Sequence, residues 1–358
     1  MTPSIQRLRR LAFDGLAAMY DGSDRIFVFR VRREGTGTVR EGKSLRYTAI
    51  SLIGLAREDA SDTQKVLGHD PALLLNDVVG RAEASDNLGD VALTHWALAA
   101  NGRGDRDRTL RRMIALRPAE ASHPTVQVAW SLMALCVDAE AKETDLRAAL
   151  ARRLVASASR AAVFPHVLDG PSSLRSHVSC FADFVYPIQA LSTYARLTGD
   201  AAARETALAA GELICRLQGA AGQWWWHYDY RTGDVVEGYP VYAVHQDSMA
   251  PMALHALQEA TGRDFGEAVQ RGLNWLESAP ELGGGSLIDE PAKLIWRKVA
   301  RREPNKLSRS LQAGASRLSS GLRLPGLDVV FPPRTIDYED RPYHLGWVLY
   351  TWPPAAAR

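Results

Sequence analysis

A chain of 358 residues, 46% of them hydrophobic and 23% charged, can bury a full core without disulfides or structural metals. Its formal charge of +2 excludes a globally basic nucleic-acid-binding surface, so any anion-binding surface has to be local. Cys136, Cys180 and Cys215 are odd in number, widely spaced and without a CxxC, which argues for buried reduced thiols over a disulfide scaffold or thiolate zinc site.

The opening MTPSIQRLRRLAFDGLAAMYDG is basic, yet it has no continuous apolar core of the kind a signal peptide carries. No run approaches the roughly 18 apolar residues of a membrane span, and the expectation is a soluble cytoplasmic protein. RIFVFRVR (25–32) alternates like a strand. Helical spacing of apolar residues then dominates in AISLIGLARE, ALTHWALAA, VAWSLMALC and ALSTYARLTG, and DVVEGYPVYAV is the second extended piece. Three stretches, 92–105, 190–200 and 253–264, share one plan: an Ala-Leu helix, a Gly stop, and an Asp to cap the next helix. Inner helices are predicted to begin near Tyr47, Asp90, Val126, Asp183, Asp247 and Tyr343. Six helical hairpins closing on themselves give an all-α fold, an (α/α)6 toroid with minor β-hairpin elements. It is read as one domain over 1–358, with a basic insertion or lid at 286–330 between the fifth and sixth hairpins.

GELICRLQGAAGQW contains Gly211, Ile214, Gln218, Gly222 and Trp224, and RGLNWLESAPELGGGS keeps an Arg271-Gly272 and the aromatic Trp275. The first resembles the glutamine–tryptophan repeat of the squalene-hopene and oxidosqualene cyclases; the second resembles a degraded copy. The ring as a whole is similar to the toroids of terpenoid cyclases and protein prenyltransferases. The resemblance implies that Gln218 caps helix-end groups, that Trp224 staples a turn, and that the chemistry is acid-initiated handling of an isoprenoid.

Parallel inner helices gather their N-termini at one mouth, and acids or histidines fall at nearly every such end. His245 and Asp247 in VYAVHQDSMAPMAL stand at a helix entry, where a plain helix cap is the competing role. Asp337, Glu339 and Asp340 form a DxED just before the last inner helix. This set resembles the DxDD acid of class II terpene cyclases, and crowding of carboxyls is what would keep one protonated. These five are the catalytic candidates. Trp225, Trp226, Tyr228 and Tyr242 are candidates to face substrate, with plain packing as the alternative. His177 and Asp183 join them; with Cys180 they have zinc-binding side chains, but at a spacing that does not match the prenyltransferase pattern, so neither metal nor cofactor is expected.

Residues 291–323 hold Lys293, Arg297, Lys298, Arg301, Arg302, Lys306, Arg309, Arg317 and Arg323 against the single acid Glu303. Arg297 and Arg301 would recognise an anionic small-molecule substrate, and the segment is also a candidate for peripheral contact with anionic lipid; nucleic acid is not expected. Three functional readings follow. The first is a cyclase-like enzyme, the second a hydrolase, lyase or epimerase acting on an acidic glycan, and the third a non-catalytic binding scaffold.

Overall fold

The computed structural model describes residues 2–171, 173, 175–303, 307–319 and 321–354. Helix α1 (Pro3–Met19) leads through a β-hairpin into α2 (Leu45–Leu55), α3 (Ala60–Leu67), α4 (Pro71–Glu83), α5 (Leu88–Asn101), α6 (Arg106–Ala115), α7 (Thr125–Val137) and α8 (Thr144–Ser157). The chain continues with α9 (Ala182–Thr198), α10 (Ala201–Leu217), α11 (Ala250–Thr261), α12 (Gly266–Ser278), α13 (Leu307–Leu318), α14 (Leu327–Val330) and α15 (Pro342–Thr351).

Composition decides which helices lie inside. α5, α7 and α9 are buried on nearly every face, whereas α6 buries only Thr109 and Met113. A helix apolar all round has to be surrounded. Accordingly α2 packs on α5, α5 on α7, α7 on α9 and α9 on α11, while α15 touches both α11 and α2 and closes the circuit. The hydroxyls that these inner helices bury are satisfied locally: Ser51, Thr94 and Ser131 each donate to the carbonyl four residues back, at 2.9, 2.8 and 2.9 Å.

The Gly–Asp punctuation works as the sequence suggests at two turns. Gly102 and Gly199 take left-handed φ values of 59° and 76°, and Asp105 and Asp200 cap the following helices through the N–H groups of Arg108 and Ala203. At the third turn Gly262 behaves alike, with φ 73°, but Phe265 holds the N-cap position and Asp264 accepts from Gly266 N at 2.8 Å instead.

The circuit closes by direct backbone contact. A Cβ placed on Gly54 of α2 would lie 2.2 Å from the carbonyl oxygen of Gly346 in α15. Gly54→Ala therefore forces these two helices apart and is expected to lower stability by about 1–3 kcal/mol, read as a shift of the urea midpoint at constant slope. An unchanged midpoint would show that the seam yields without cost.

The strands tie late segments to early ones. Ile26–Glu34 pairs with Gly37–Lys43 and also with Glu339–Asp340, so that Arg32 faces Glu339 and Val31 faces Asp340. Lys298–Ala300 lies between Val241–Tyr242 and Thr335–Asp337 in a three-stranded sheet. Through Lys298–Ala300 the basic segment is thereby woven into a sheet with strands from both sides of it. Among the described residues no helix is long and apolar enough to cross a membrane.

Candidate functional site

The acids expected to share one mouth divide into two groups with different surroundings. Asp247 and Asp340 are 0% and 1% exposed, and His344 stands between them. Its Nε2 lies 2.8 Å from Asp247 Oδ2 and its Nδ1 3.6 Å from Asp340 Oδ1. Burial by itself lowers an imidazole pKa; the two carboxylates outweigh it and raise His344 to about 10. Ser248 Oγ donates to Asp247 Oδ1, and the N–H groups of Ile295 and Arg341 donate to Asp340. Every carboxylate oxygen here is in use. The backbone of Asp247 is used as well: Pro251 lacks the N–H that would bond this carbonyl in a helix, and the Trp352 indole donates to it instead at 2.6 Å.

Glu339 is 4% exposed and held by Arg30 at 2.8 Å, Arg341 at 2.7 Å and Arg297. Burial pushes its pKa up, and the three guanidiniums more than cancel this and leave it below the usual range, which makes it an ion-pair hub and not a proton donor. Asp337 pairs with Lys298 at 2.6 Å. His245 is wedged between the rings of Phe181 and Tyr242 at 4.6 and 4.9 Å, and burial drops its pKa to about 3, so it stays neutral. The DxED set and the His245–Asp247 pair are thus stitched into the wall between the last two inner helices. His245, Asp247, Glu339 and Asp340 are buried and Asp337 half-buried, which sequence spacing does not reveal.

The aromatic candidates also separate. Trp224 is fully buried, its Nε1 2.7 Å from where a Gly272 Cβ would sit, and Gln218 Nε2 bridges the Gly222 and Ala268 carbonyls at 3.0 and 2.9 Å, joining the end of α10 to α12. Tyr228 is 1% exposed and packs edge-on to Phe184 in the core. Trp225 pairs with Tyr239 over a separate cavity of about 360 Å³. Trp226 is half-buried: it stacks on His227 at 4.2 Å, meets the edge of the buried Tyr242 at 5.3 Å, and lies under the Arg309 guanidinium at 4.8 Å.

Half of the described basic residues of the segment, Lys293, Arg297, Lys298 and Arg301, are neutralised from outside it. Arg301 is held by Glu237 at 2.9 Å and Asp328 at 2.5 Å, Arg297 by Glu339, and Lys293 by Asp14 at 3.2 Å. Neither arginine named as a substrate ligand is therefore free of a carboxylate. Lys306 lies outside the described residues.

What remains at the entry of the inner helices is a smaller constellation. Asp183, at the start of α9, is 0% exposed; its Oδ2 accepts from Cys180 N at 2.8 Å and meets His166 Nδ1 at 2.9 Å, while its Oδ1 has no partner. The His166 side chain is 56% exposed, and its hydrogen bond to Asp183 raises its pKa against the opposing effect of burial. His166 was not among the sequence candidates, because it sits in a loop and no helical spacing links it to Asp183. His177, expected beside Cys180 and Asp183, faces the other way, with Nε2 at 3.0 Å from Ser316 Oγ. One ligand atom each from His166, Cys180 and Asp183 lie within 4.8 Å of one another, the one such grouping among the described residues that could take a metal ion.

The starts of the neighbouring inner helices carry further polar and aromatic groups, of which Arg46, Tyr47, Asp90 and Tyr343 are half-buried and Trp130 and Tyr186 buried. Arg46 joins Asp90 at 2.9 Å and lies over the Trp130 ring at 5.6 Å. Trp130 meets Tyr186 at 5.0 Å, and Tyr47 meets Tyr343 at 4.8 Å with its hydroxyl accepting from Arg341 at 2.8 Å. An imidazole and carboxylate beside flat aromatic faces and guanidinium groups can move a proton on a ring-shaped, anionic ligand.

No protein-family model matches the chain, and no curated protein matches it. Solved structures do. An unsaturated glucuronyl hydrolase specific for heparin is similar over 97% of this chain and 94% of that chain, with a TM-score of 0.61 at 13% identity. A UGL variant with dGlcA-Glc-Rha-Glc is similar over the same shares, with a TM-score of 0.60 at 11% identity. A protein described as a wild-type glycosidase is similar over 98% of this chain and 97% of that chain, with a TM-score of 0.52 at 13% identity. None of the three is a terpenoid cyclase or a prenyltransferase. The likeness at these identities is one of fold, and the fold is a mostly helical α/α toroid shared with glycan-processing enzymes.

Proposed function

We propose that this six-hairpin toroid is an enzyme that processes an acidic glycan at the entry of its inner helices, with Asp183 and His166 as the acid–base pair. The observation that carries the reading is the Asp183 carboxylate, buried, with one oxygen holding a half-exposed imidazole and the other without a partner. Buried polar atoms are almost always satisfied, and an orphan oxygen beside an exposed imidazole at a helix start suits a group that a ligand supplies. His166 is the proton donor, and its hydrogen bond to Asp183 raises its pKa above the ordinary value. Half-buried Trp226 and Tyr343 offer ring faces to a sugar, and Arg46 a guanidinium to its carboxylate. Hydrolysis of a uronate-containing glycan is the reaction class that this set and the neighbours' names support best.

The cyclase-like reading loses its proton donor, since Asp247 and Asp340 are sealed around His344 and Glu339 sits among three arginines. A scaffold without catalysis is favoured by one observation: the five acids and histidines first singled out are consumed in packing and ion pairs. Incubation with an unsaturated heparin disaccharide, followed by the absorbance of its unsaturated uronate and by the thermal midpoint, separates the two. Turnover is the expected result. Stabilisation without turnover would support the scaffold, and neither effect would overturn the glycan reading.

A further inference from the structure

Behind the loop that carries His166 lies a cavity of about 590 Å³ that the chemistry above does not use. Pro165 and Val167 line it, while the His166 ring between them turns to Asp183, so one loop walls both spaces. The remaining walls include His177, Tyr230, Arg231 and Arg317. His177 is 2% exposed, with Nε2 on Ser316 Oγ and Nδ1 without a partner. Burial above all keeps this imidazole below its ordinary pKa; Asp229 opposes that, and Arg231 and Arg317 reinforce it. Such a nitrogen suits a sugar hydroxyl.

The positive charges are unequally consumed. Arg231 grips Asp229 through Nε and Nη2, at 3.0 and 2.7 Å, and gives a further bond to the Ser316 carbonyl. Arg153 holds Asp169, the single carboxylate among the described lining residues, at 2.7 Å. Arg317 is exposed and makes no ion pair among the described residues. The Tyr230 hydroxyl is spent on the Ser157 carbonyl at 3.0 Å, which fixes its ring as a flat wall. A ring face, a buried imidazole and an uncompensated guanidinium together fit a sugar that carries an oxyanion. The volume is in the range of small-molecule sites, roughly 300–1,000 Å³. From His177 the strand Val178–Cys180 runs straight to the mouth. That is about 10 Å at roughly 3.3 Å per residue, about the length of two consecutive sugar units of a saccharide chain.

We propose that this cavity is an accessory subsite for a carboxylate- or sulfate-bearing sugar further along the same glycan chain; the inference rests on the glycan reading of the mouth. The test is calorimetric titration of wild type and Arg317→Ala with a heparin disaccharide, a heparin tetrasaccharide, its desulfated form, and cellotetraose as the neutral control. Wild type is expected to bind the tetrasaccharide about ten-fold more tightly than the disaccharide, and Arg317→Ala to erase that advantage. Arg317 is exposed, so the variant keeps its fold, which its thermal midpoint verifies. The desulfated tetrasaccharide tells which group is read: retention of the advantage assigns a carboxylate, and its loss a sulfate. A disaccharide that binds with no gain from length, or a gain that survives Arg317→Ala, overturns the subsite and leaves the mouth standing. Equal binding of cellotetraose overturns the oxyanion. Failure of every acidic saccharide to bind removes the glycan reading itself and this inference with it.

Discussion

His344→Gln is expected to destabilise the protein by about 3–5 kcal/mol, because it leaves Asp247 buried beside a neutral partner. The cost exceeds that of a lost hydrogen bond, since a carboxylate that is 0% exposed has no water to turn to. A pH signature separates this from simple misfit. The folded-state pKa of His344 is about 10 against an ordinary 6.5, so the charge contributes stability fully below about pH 6.5 and loses that contribution as pH rises through about 10. The gap between wild type and variant in urea unfolding should therefore narrow on the alkaline side. A constant gap would mean that His344 is not charged in the folded protein. Asp247→Asn is expected to behave the same way, as a folding defect and not as a selective loss of turnover.

Asp183→Asn is expected to do the opposite. An asparagine oxygen still accepts the Cys180 N–H, so the start of α9 keeps its local bond and the stability loss stays near 1 kcal/mol. Turnover of the acidic glycan should fall by about 100- to 10,000-fold, the range for a removed acid–base group. The hydrogen bond from His166 to Asp183 is also the chief reason that His166 holds its proton above the ordinary range. A protonated His166 that acts as acid gives activity that falls as pH rises through its pKa; in the variant this limb should move to lower pH. Retention of half the wild-type rate, or an unmoved limb, would remove Asp183 from the chemistry.

Helix periodicity and the Gly–Asp turns made the ring legible, because both signals are local: Gly102 with Asp105, and Gly199 with Asp200, act within a few residues. The site was legible only in part, because its partners are not local. Asp247 meets His344 across 97 positions, and Glu339 meets Arg30 across 309, so no window of sequence shows that these acids are already spoken for. Asp183 was visible as a helix-start acid, whereas His166 lies 17 residues before it in an irregular loop and belongs to no period. The basic segment misled for a related reason. Its arginines read as a free cationic surface until Glu237, Asp328 and Glu339, each drawn from another part of the chain, are placed against them.

The backbone seam between Gly54 and Gly346 also bears on the order in which the molecule can assemble. A nascent chain that has not yet delivered residues 342–351 exposes the flank of α2 that α15 will cover, and it buries Asp247 with no imidazole to meet it. The wall is therefore open, and its most expensive charge unpaired, until residues 342–351 have left the ribosome. Loop-closure entropy is a minor obstacle, since it grows only as the logarithm of the span; the exposed apolar flank is the larger hazard. A product that lacks residues 342–351 would keep that apolar flank and that unpaired charge, the features by which unfolded chains are triaged.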